Sequence, residues 1–289
     1  MRSPFRFRTI LAALAVSALL LAAWVGVSIL TLPSVAPLAR PGASMTITVK
    51  DWHRKDHRFV VGPRNPRWTP YRAIPAALKK AVVASEDANF YSHEGVDYEA
   101  IGEAIKTDWR KGKFVHGGST ITQQVAKNLY LTREKTLIRK VKEIVLARRM
   151  DDALSKSRIL ELYLNVVELG PMVYGVGHAA HYYFGKHPSA LTVRECAFLA
   201  SMLPGPKIYN PYRTMDRVMK RSDRILRRMV AARMISREEY DAALSEVPNL
   251  AGLARKVEKT LEAPPPEEKP PGEATGDGPV AIEPSPPVR

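Results

Sequence analysis

The chain has 289 residues, of which 45% are hydrophobic, and its formal net charge at pH 7 is +15. A chain of this length holds one or two domains and can bury a core, and so basic a balance indicates a polyanionic partner: a nucleic acid, an anionic membrane surface or a phosphorylated substrate. The single cysteine, Cys196, excludes an intrachain disulfide and a cysteine-rich zinc site, and its apolar neighbours indicate an inert, buried thiol.

The N-terminal segment favours the membrane among these partners. A basic tail, residues 1–8 with Arg2, Arg6 and Arg8, precedes the uncharged apolar stretch 9–32, which as a helix is long enough to cross a bilayer. The positive-inside rule then predicts a cytoplasmic N-terminus, a single span and a body on the outer face of the cytoplasmic membrane. The alternative is a cleaved signal peptide, whose apolar region is shorter, about 7–15 residues. A body outside the cytoplasm does not meet nucleic acid, so no nucleic-acid partner is predicted.

Prolines separate a connecting segment from a helical body. In 33–70 they prevent a long helix, and 45–49 alternates weakly, as a short strand does, so this segment is predicted to be a juxtamembrane stalk. Helical periodicity and capping residues predict a single domain without internal repeats over 71–250. Strand-like alternation hardly appears after Val49, so this domain is predicted to be all-α. The predicted helices are 74–84, 96–111, one capped by Ser119 or Thr120, 134–154, 156–165, 178–184, 191–203, 215–230 and 236–245.

The C-terminal segment 262–289 differs from the body in composition. Nine prolines are interleaved with glycines and acids, and bulky apolar residues are almost absent, so the segment is predicted to be extended and disordered. Six acidic residues against Lys269 and Arg289 give it a net charge of −4, which leaves +19 for the rest of the chain. The prediction of a polyanionic partner is therefore stronger for the folded part.

Glu86 and Asp87 follow an apolar run, which places a carboxyl group at the edge of packed structure. Partial burial raises the pKa of a carboxyl group, and this suits general acid–base work. For an isolated pair of acids, a helix cap or a solvated ion pair is the ordinary explanation. Here a phenylalanine, a histidine and a glycine follow at short offsets, and the polar run 119–128 comes about thirty residues later. A solvated helix face does not need two adjacent amides after a Gly-Gly turn, so a catalytic role is favoured.

The predicted helix 134–154 carries a second acid among cations. Glu143 follows Arg139 by four residues and Lys140 by three, with Lys142 beside it. An exposed helix ion pair, worth a few tenths of a kcal/mol, explains this spacing equally well. The functional alternative is a carboxylate within a cationic pocket, where its neighbours favour the ionised form.

Five motifs in order, over about 73–213, resemble the signatures of the bacterial peptidoglycan glycosyltransferases. They are E-D-x-x-F-x-x-H-x-G at 86–95, G-S-T-I-T-Q-Q-x-x-K-N at 118–128, R-K-x-x-E at 139–143, I-L-E-x-Y-L-N at 159–165 and L-T-x-x-E-x-A-x-L-A at 191–200. One such motif is weak evidence, whereas five in the right order are specific.

The resemblance implies a lysozyme-like, all-α glycosyltransferase domain with an N-terminal transmembrane helix. Such an enzyme polymerises lipid II into β-1,4-linked glycan strands, inverts the donor's anomeric carbon and releases undecaprenyl diphosphate. The resemblance implies that Glu86 is the base for the acceptor's 4-hydroxyl group and that Glu143 assists at the leaving diphosphate. The implied partners are lipid II, the growing lipid-linked glycan chain, the membrane and other proteins of cell-wall synthesis. The implied substrate-binding residues are Ser119, Thr120, Gln123, Gln124, Lys127, Asn128, Arg139, Lys140 and Lys142.

The residue chemistry agrees with this resemblance. Glycosyl transfer needs a base for the incoming hydroxyl group, and a diphosphate leaving group needs cations more than a strong acid. No cluster of His, Asp and Glu indicates a protein-held metal, so none is predicted, although a divalent cation (Mg²⁺ or Mn²⁺) could accompany the substrate diphosphate. His93 is predicted to make a local hydrogen bond.

Two other classes of protein share some of these features. A lytic transglycosylase or muramidase would use a single catalytic Glu, but it cleaves glycan and needs no cations for a diphosphate. A non-enzymatic membrane scaffold would explain the anchor and the Pro-rich tail but not the paired acids and amides. The sequence contains neither Ser-x-x-Lys nor Lys-Thr-Gly, and too few residues follow Pro211 for a transpeptidase domain, so glycan polymerisation alone is expected.

Overall fold

The computed structural model describes residues 4–251 except 41, 52, 54, 112–117, 133–135, 204, 206 and 207, so the Pro-rich segment 262–289 lies outside the described residues. The described helices are α1 Pro4–Leu30, α2 Ala76–Glu86, α3 Tyr98–Lys111, α4 Ile121–Tyr130, α5 Leu137–Ala153, α6 Lys156–Val166, α7 Val176–Phe184, α8 Val193–Ser201, α9 Pro211–Ala231 and α10 Arg237–Ser245. Two small antiparallel pairs join β1 Met45–Lys50 to β2 Asp56–Val61 and β3 Glu168–Gly170 to β4 Val173–Tyr174. The prediction of a mainly helical protein is confirmed.

Capping side chains set where several helices begin. Thr120, Thr192 and Ser236 each accept the N–H of the residue three positions on, and a Gln or Glu at that position bonds back to the cap. Helix α9 begins after Asn210, four residues before the predicted start at 215. Thr214 interrupts it with a non-helical conformation (φ −139°, ψ 48°), which explains why the regular apolar pattern starts only after that residue.

The β1–β2 hairpin corrects the prediction of one isolated strand with no strand after residue 49. β2 pairs with β1 along the whole length of both strands. It places Phe59 against Tyr174, with ring centroids 5.3 Å apart, and it buries Val61. The polar residues 56–58 at its start hide its alternation in the sequence. The short pair β3–β4 was also not predicted, because segments of two or three residues have no readable period.

The segment 33–70 lies against the body through bonds to α6. The side chain of Asn165 accepts the N–H of Thr69 at 2.8 Å and donates to the Thr69 carbonyl at 2.9 Å. Trp68 Nε1 donates to Glu161 Oε1 at 3.2 Å. Helix α6 therefore fixes the path of the chain just before it enters the body.

Helix α1 contains the candidate membrane span among the described residues, Ala12–Leu30, with a mean hydropathy of 2.3 and no part of it buried in the body. It ends at Leu30, two residues before the predicted end, and Thr31 bonds back to the Val27 carbonyl. Arg149 of α5 donates to the Ile29 carbonyl at 3.4 Å. The end of α1 thus lies beside α5.

Two groups of helices form the core. Helix α8 contacts α2, α9 and α10, and residues 194–201 are all buried. Cys196 lies there, and burial raises the pKa of its thiol, as expected for an inert core cysteine. In the other group, α4 contacts α5 and α6 and buries Ile121 and Val125. Helix α2 contacts α8 and α9 and ends at Glu86, which faces α4.

Candidate active site

Glu86 is the last residue of α2, and its side chain is only 10% exposed. Gln124 Nε2 donates to Glu86 Oε2 at 3.1 Å, and Arg221 Nη2 lies 3.5 Å from Oε1. Burial raises the pKa of Glu86 above its ordinary value of 4.5, although the bond from Gln124 and the charge of Arg221 oppose the rise. A carboxylate in these surroundings is suited to accept a proton.

The neighbouring Asp87 holds the start of α4. Its buried carboxylate accepts the N–H of Ile121 at 2.9 Å and lies 3.0 Å from His93 Nε2. A carboxylate at this end of a helix also gains from the helix dipole. The helix-cap explanation of the paired acids therefore holds for Asp87 and not for Glu86. The predicted local hydrogen bond of His93 is confirmed, and its partner is Asp87.

Gln124 is held in the orientation that presents its amide nitrogen to Glu86. Its amide oxygen accepts the hydroxyl of Tyr163 at 3.2 Å, and Tyr163 is fully buried. The tyrosine therefore determines which end of the amide faces the carboxylate.

Thr120 and Gln123 form a reciprocal helix cap inside the fold, in which Gln123 Nε2 is buried and has no hydrogen-bond partner among the described residues. Thr120 Oγ1 accepts the Gln123 N–H at 3.1 Å and donates to the Gly95 carbonyl at 2.7 Å, while Gln123 Oε1 accepts the Thr120 N–H at 2.9 Å. Both residues are buried, with exposures of 2% and 0%. Gly95 is itself constrained by close packing, since it has φ +78° and a Cβ there would lie 2.6 Å from the Ala147 carbonyl of α5. The cap thus joins α4 to the loop after α2.

Glu143 forms the centre of a second cluster, on α5. Its side chain is 4% exposed, its Oε2 lies 2.6 Å from Arg139 Nη1, and its Oε1 accepts from Lys140 Nζ. Lys140 also donates to Ser119 Oγ at 2.8 Å, which ties the start of α4 to α5. The explanation as a solvated helix ion pair is therefore excluded for Glu143. Two cations surround one carboxylate, so the cluster keeps a net positive charge.

Lys127 connects the two carboxylates electrostatically. Loss of hydration at its ammonium group lowers the pKa of Lys127 below 10.5, and Arg139 and Lys140 lower it further, whereas Glu143 and Glu86 oppose this. The residue itself is exposed, so part of its side chain meets solvent. The structure thus brings the predicted base, second acid and three cations into one site.

Asn128 and Lys142 lie beside this cluster. Both are half-buried, on α4 and α5, and neither has an ion pair or a side-chain hydrogen bond within the described part of the chain. Their polar groups are therefore not committed to the fold. Among residues with described positions, no group of three or more His, Cys, Asp or Glu is placed to hold a metal ion.

Arg221 of α9 was not predicted as a site residue. Its guanidinium group lies 3.5 Å from Glu86 Oε1 and 5.2 Å from the ring centre of Tyr209. The sequence of this helix is basic and amphipathic, a pattern that does not single out one arginine among several. The missed signal is spacing: Arg221 comes three residues after Val218 and four before Ile225, and both of these are buried.

Comparison with known proteins places this site inside a recognised domain. A family model described as Transglycosylase matches residues 55–230, which include both carboxylates, Lys127 and Arg221. The chain is 46% identical over 181 residues to a biosynthetic peptidoglycan transglycosylase of Herminiimonas arsenicoxydans, with 61% of this chain and 78% of that protein covered. It is 48% identical over 167 residues to a protein of the same name from Paraburkholderia xenovorans, with 58% and 70% covered. It is also 46% identical over 173 residues to penicillin-binding protein 1A of Aquifex aeolicus, with 60% and 24% covered.

Proposed function

The chain belongs to the transglycosylase family, and we propose that this peptidoglycan glycosyltransferase polymerises lipid II into β-1,4-linked glycan with release of undecaprenyl diphosphate. The observation that carries the proposal is the pairing of a buried carboxyl group of raised pKa, Glu86, with a cluster of cations around Glu143. The first can take a proton, and the second can stabilise a diphosphate.

Glu86 would act on the acceptor. As the acceptor's 4-hydroxyl oxygen attacks the anomeric carbon of the donor, its proton passes to the Glu86 carboxylate. The bond from the anomeric carbon to the diphosphate oxygen breaks, and the diphosphate leaves with the electron pair. Gln124 and Arg221 orient the carboxylate, because each faces a different oxygen of it.

The cations would act on the donor. Lys127, Arg139 and Lys140 can contact diphosphate oxygens through charge-assisted hydrogen bonds. Glu143 holds two of these cations together before substrate arrives. Because both of its oxygens already bind these cations, Glu143 offers no free oxygen to a metal ion. A divalent cation carried in by the diphosphate stays a prediction.

The anchor would bring the site to its substrate. Lipid II and the growing glycan are both held in a membrane by their lipid, so an enzyme anchored by α1 meets them in two dimensions. The arginines that precede the apolar span favour a cytoplasmic N-terminus, which would put the site on the outer face of the cytoplasmic membrane. Other proteins of cell-wall synthesis would meet it there.

The test is incubation of the purified full chain with lipid II in detergent, with the products resolved by size. We expect glycan strands without peptide cross-links, and strand formation by the Glu86→Gln variant should be at least about 100-fold slower. Digestion of finished glycan without elongation of lipid II would contradict the proposal and indicate a lytic enzyme. Cross-linked product from this chain alone would contradict the expectation of polymerisation only.

A further inference from the structure

A cleft of about 370 Å³ lies between the β1–β2 hairpin, the segment after it and the turn that joins β3 to β4. None of its lining residues belongs to the site around Glu86. Its apolar wall consists of Val49, Phe59, Val60, Pro66, Met172 and Tyr174. Its rim carries three arginines, Arg58, Arg64 and Arg67, together with two histidines, His57 and His178.

The three arginines are exposed and have no acidic partner among the residues that the structure describes. Arg64 donates to the Ser44 carbonyl at 3.2 Å, but no described carboxylate lies within ion-pair distance of Arg58, Arg64 or Arg67. Asp51 pairs with a lining histidine, since its Oδ2 is 2.9 Å from His57 Nε2. The cleft therefore presents uncompensated positive charge beside an aromatic wall.

His178 does not compensate this charge or add to it at neutral pH. Burial lowers the pKa of His178 to about 4, and the charge of Arg67 and the nearby His181 contribute to this. This rim histidine is then neutral and leaves the charge of the arginines unchanged. The combination of arginines with an apolar, aromatic surface suits an extended acidic peptide that contains proline, because proline-rich segments dock in aromatic-lined grooves.

We propose that the occupant of this cleft is the C-terminal segment 262–289 of the same chain. Its sequence around Glu267 and Glu268 places two adjacent carboxylates between Pro266 and Pro270. The segment therefore supplies two groups that complement the cleft. Its carboxylates can pair with the arginines, and its proline rings can pack on the aromatic side chains.

The described chain ends within reach of the cleft. Ala251 lies beside Gly185, 3.6 Å from where a Cβ at Gly185 would stand, and Gly185 follows the last turn of α7. His178, on the first turns of α7, lines the cleft, and seven residues of helix span about 10 Å. Ten residues lie between Ala251 and Glu262, and an extended chain over those eleven steps spans about 35–40 Å. The acidic residues can therefore reach the arginines, and tethering raises their effective concentration there.

Zero-length carbodiimide cross-linking of the full chain tests this inference. Arg58→Lys, Arg64→Lys and Arg67→Lys each keep the charge and introduce an amine that an activated carboxylate can capture. Arg227→Lys is the matched control, since Arg227 is exposed and has no ion pair within the described ranges. Mass spectrometry then identifies which carboxylates join to each substituted position within one chain.

We expect cross-links from Glu267 or Glu268 to the cleft positions at several times the yield found at position 227. They should weaken at high salt, because screening reduces attraction between exposed charges. They should also disappear when Glu267→Gln and Glu268→Gln are combined. Equal yields at position 227, links only between different chains, or displacement of the links by anionic lipid vesicles would each overturn the proposal.

Discussion

Glu86 and Glu143 are both buried glutamates in one site, yet their surroundings differ. Glu86 has one amide hydrogen bond and a cation 3.5 Å away, and burial raises its pKa. Glu143 has one cation on each of its two oxygens, with Arg139 at 2.6 Å. Identical side chains therefore have different chemistry, because partners and hydration decide whether a carboxyl group exchanges a proton or holds cations in place.

The largest expected effect comes from removing the base. Glu86→Gln keeps the size and the hydrogen-bonding capacity of the side chain but cannot take a proton, so lipid II turnover should fall by about 10²–10⁴. Binding of a non-reactive diphosphate analogue should persist, since no cation is lost. Glu94→Gln is the control, because Glu94 is 71% exposed and outside the site. Near-normal turnover of Glu86→Gln would show that another group is the base.

Unfolding of the Glu86→Gln variant checks that the loss is not structural. Burial raises the pKa of Glu86 in the folded state, so the native protein binds this proton more tightly than the unfolded chain. The contribution of Glu86 to stability is therefore more favourable below its unfolded-state pKa and is lost as pH rises through the folded-state value. At neutral pH, Glu86→Gln should be at least as stable as the natural chain. A clear drop in Tm would mean that the turnover loss has a folding component.

A smaller effect is expected from the cation between the two carboxylates. Lys127→Ala should weaken binding of the diphosphate analogue by about 1–3 kcal/mol, because a charge-assisted contact is lost. Measuring analogue affinity by calorimetry tests this, with Lys220→Ala as an exposed lysine control on α9. Unchanged affinity in Lys127→Ala would remove Lys127 from the diphosphate site.

Removing the charge of Glu143 should affect diphosphate binding in the opposite direction to Lys127→Ala. Glu143→Gln should lower turnover, but affinity for the diphosphate analogue should hold or rise because a negative charge leaves the cationic cluster. The same calorimetry gives this result beside Glu86→Gln. If Glu143→Gln remains folded but loses affinity for the analogue, the expectation from charge is wrong. Glu143 would then be needed to position the cations for the diphosphate.

The smallest expected effect separates a fold contact from a substrate contact at the start of α4. Thr120→Ala removes a buried helix cap and should cost about 1 kcal/mol of unfolding free energy, which Thr120→Ser should largely restore. Denaturant unfolding measures the change in unfolding free energy. Steady-state kinetics on the folded protein measure KM and turnover of each variant. Thr120 is a predicted substrate-binding residue, and a raised KM in both variants would indicate that contact instead of a cap alone.

The sequence predicts the helices best where a cap and an apolar period agree, as at Thr120, Thr192 and Ser236. It predicts strands poorly where a short hairpin strand begins with polar residues, as β2 does. At the site, the motif residues are near one another because α4 and α5 are adjacent. Arg221 was missed because one arginine among many on a basic helix is distinguished only by lying on the buried face, and that face is decided by tertiary packing.

The most direct test of the contrast between the two glutamates is a titration of Glu86 itself. Carboxyl ¹³C NMR of glutamate-labelled protein in micelles would follow the resonance that disappears in Glu86→Gln. We predict a midpoint above the ordinary value of 4.5, so turnover should decline as pH falls through that raised pKa. In Arg221→Ala the midpoint should move higher still, because a cation that favours the ionised form is gone. A midpoint at or below 4.5, or one that Arg221→Ala leaves unchanged, would contradict the account of Glu86 as a buried base.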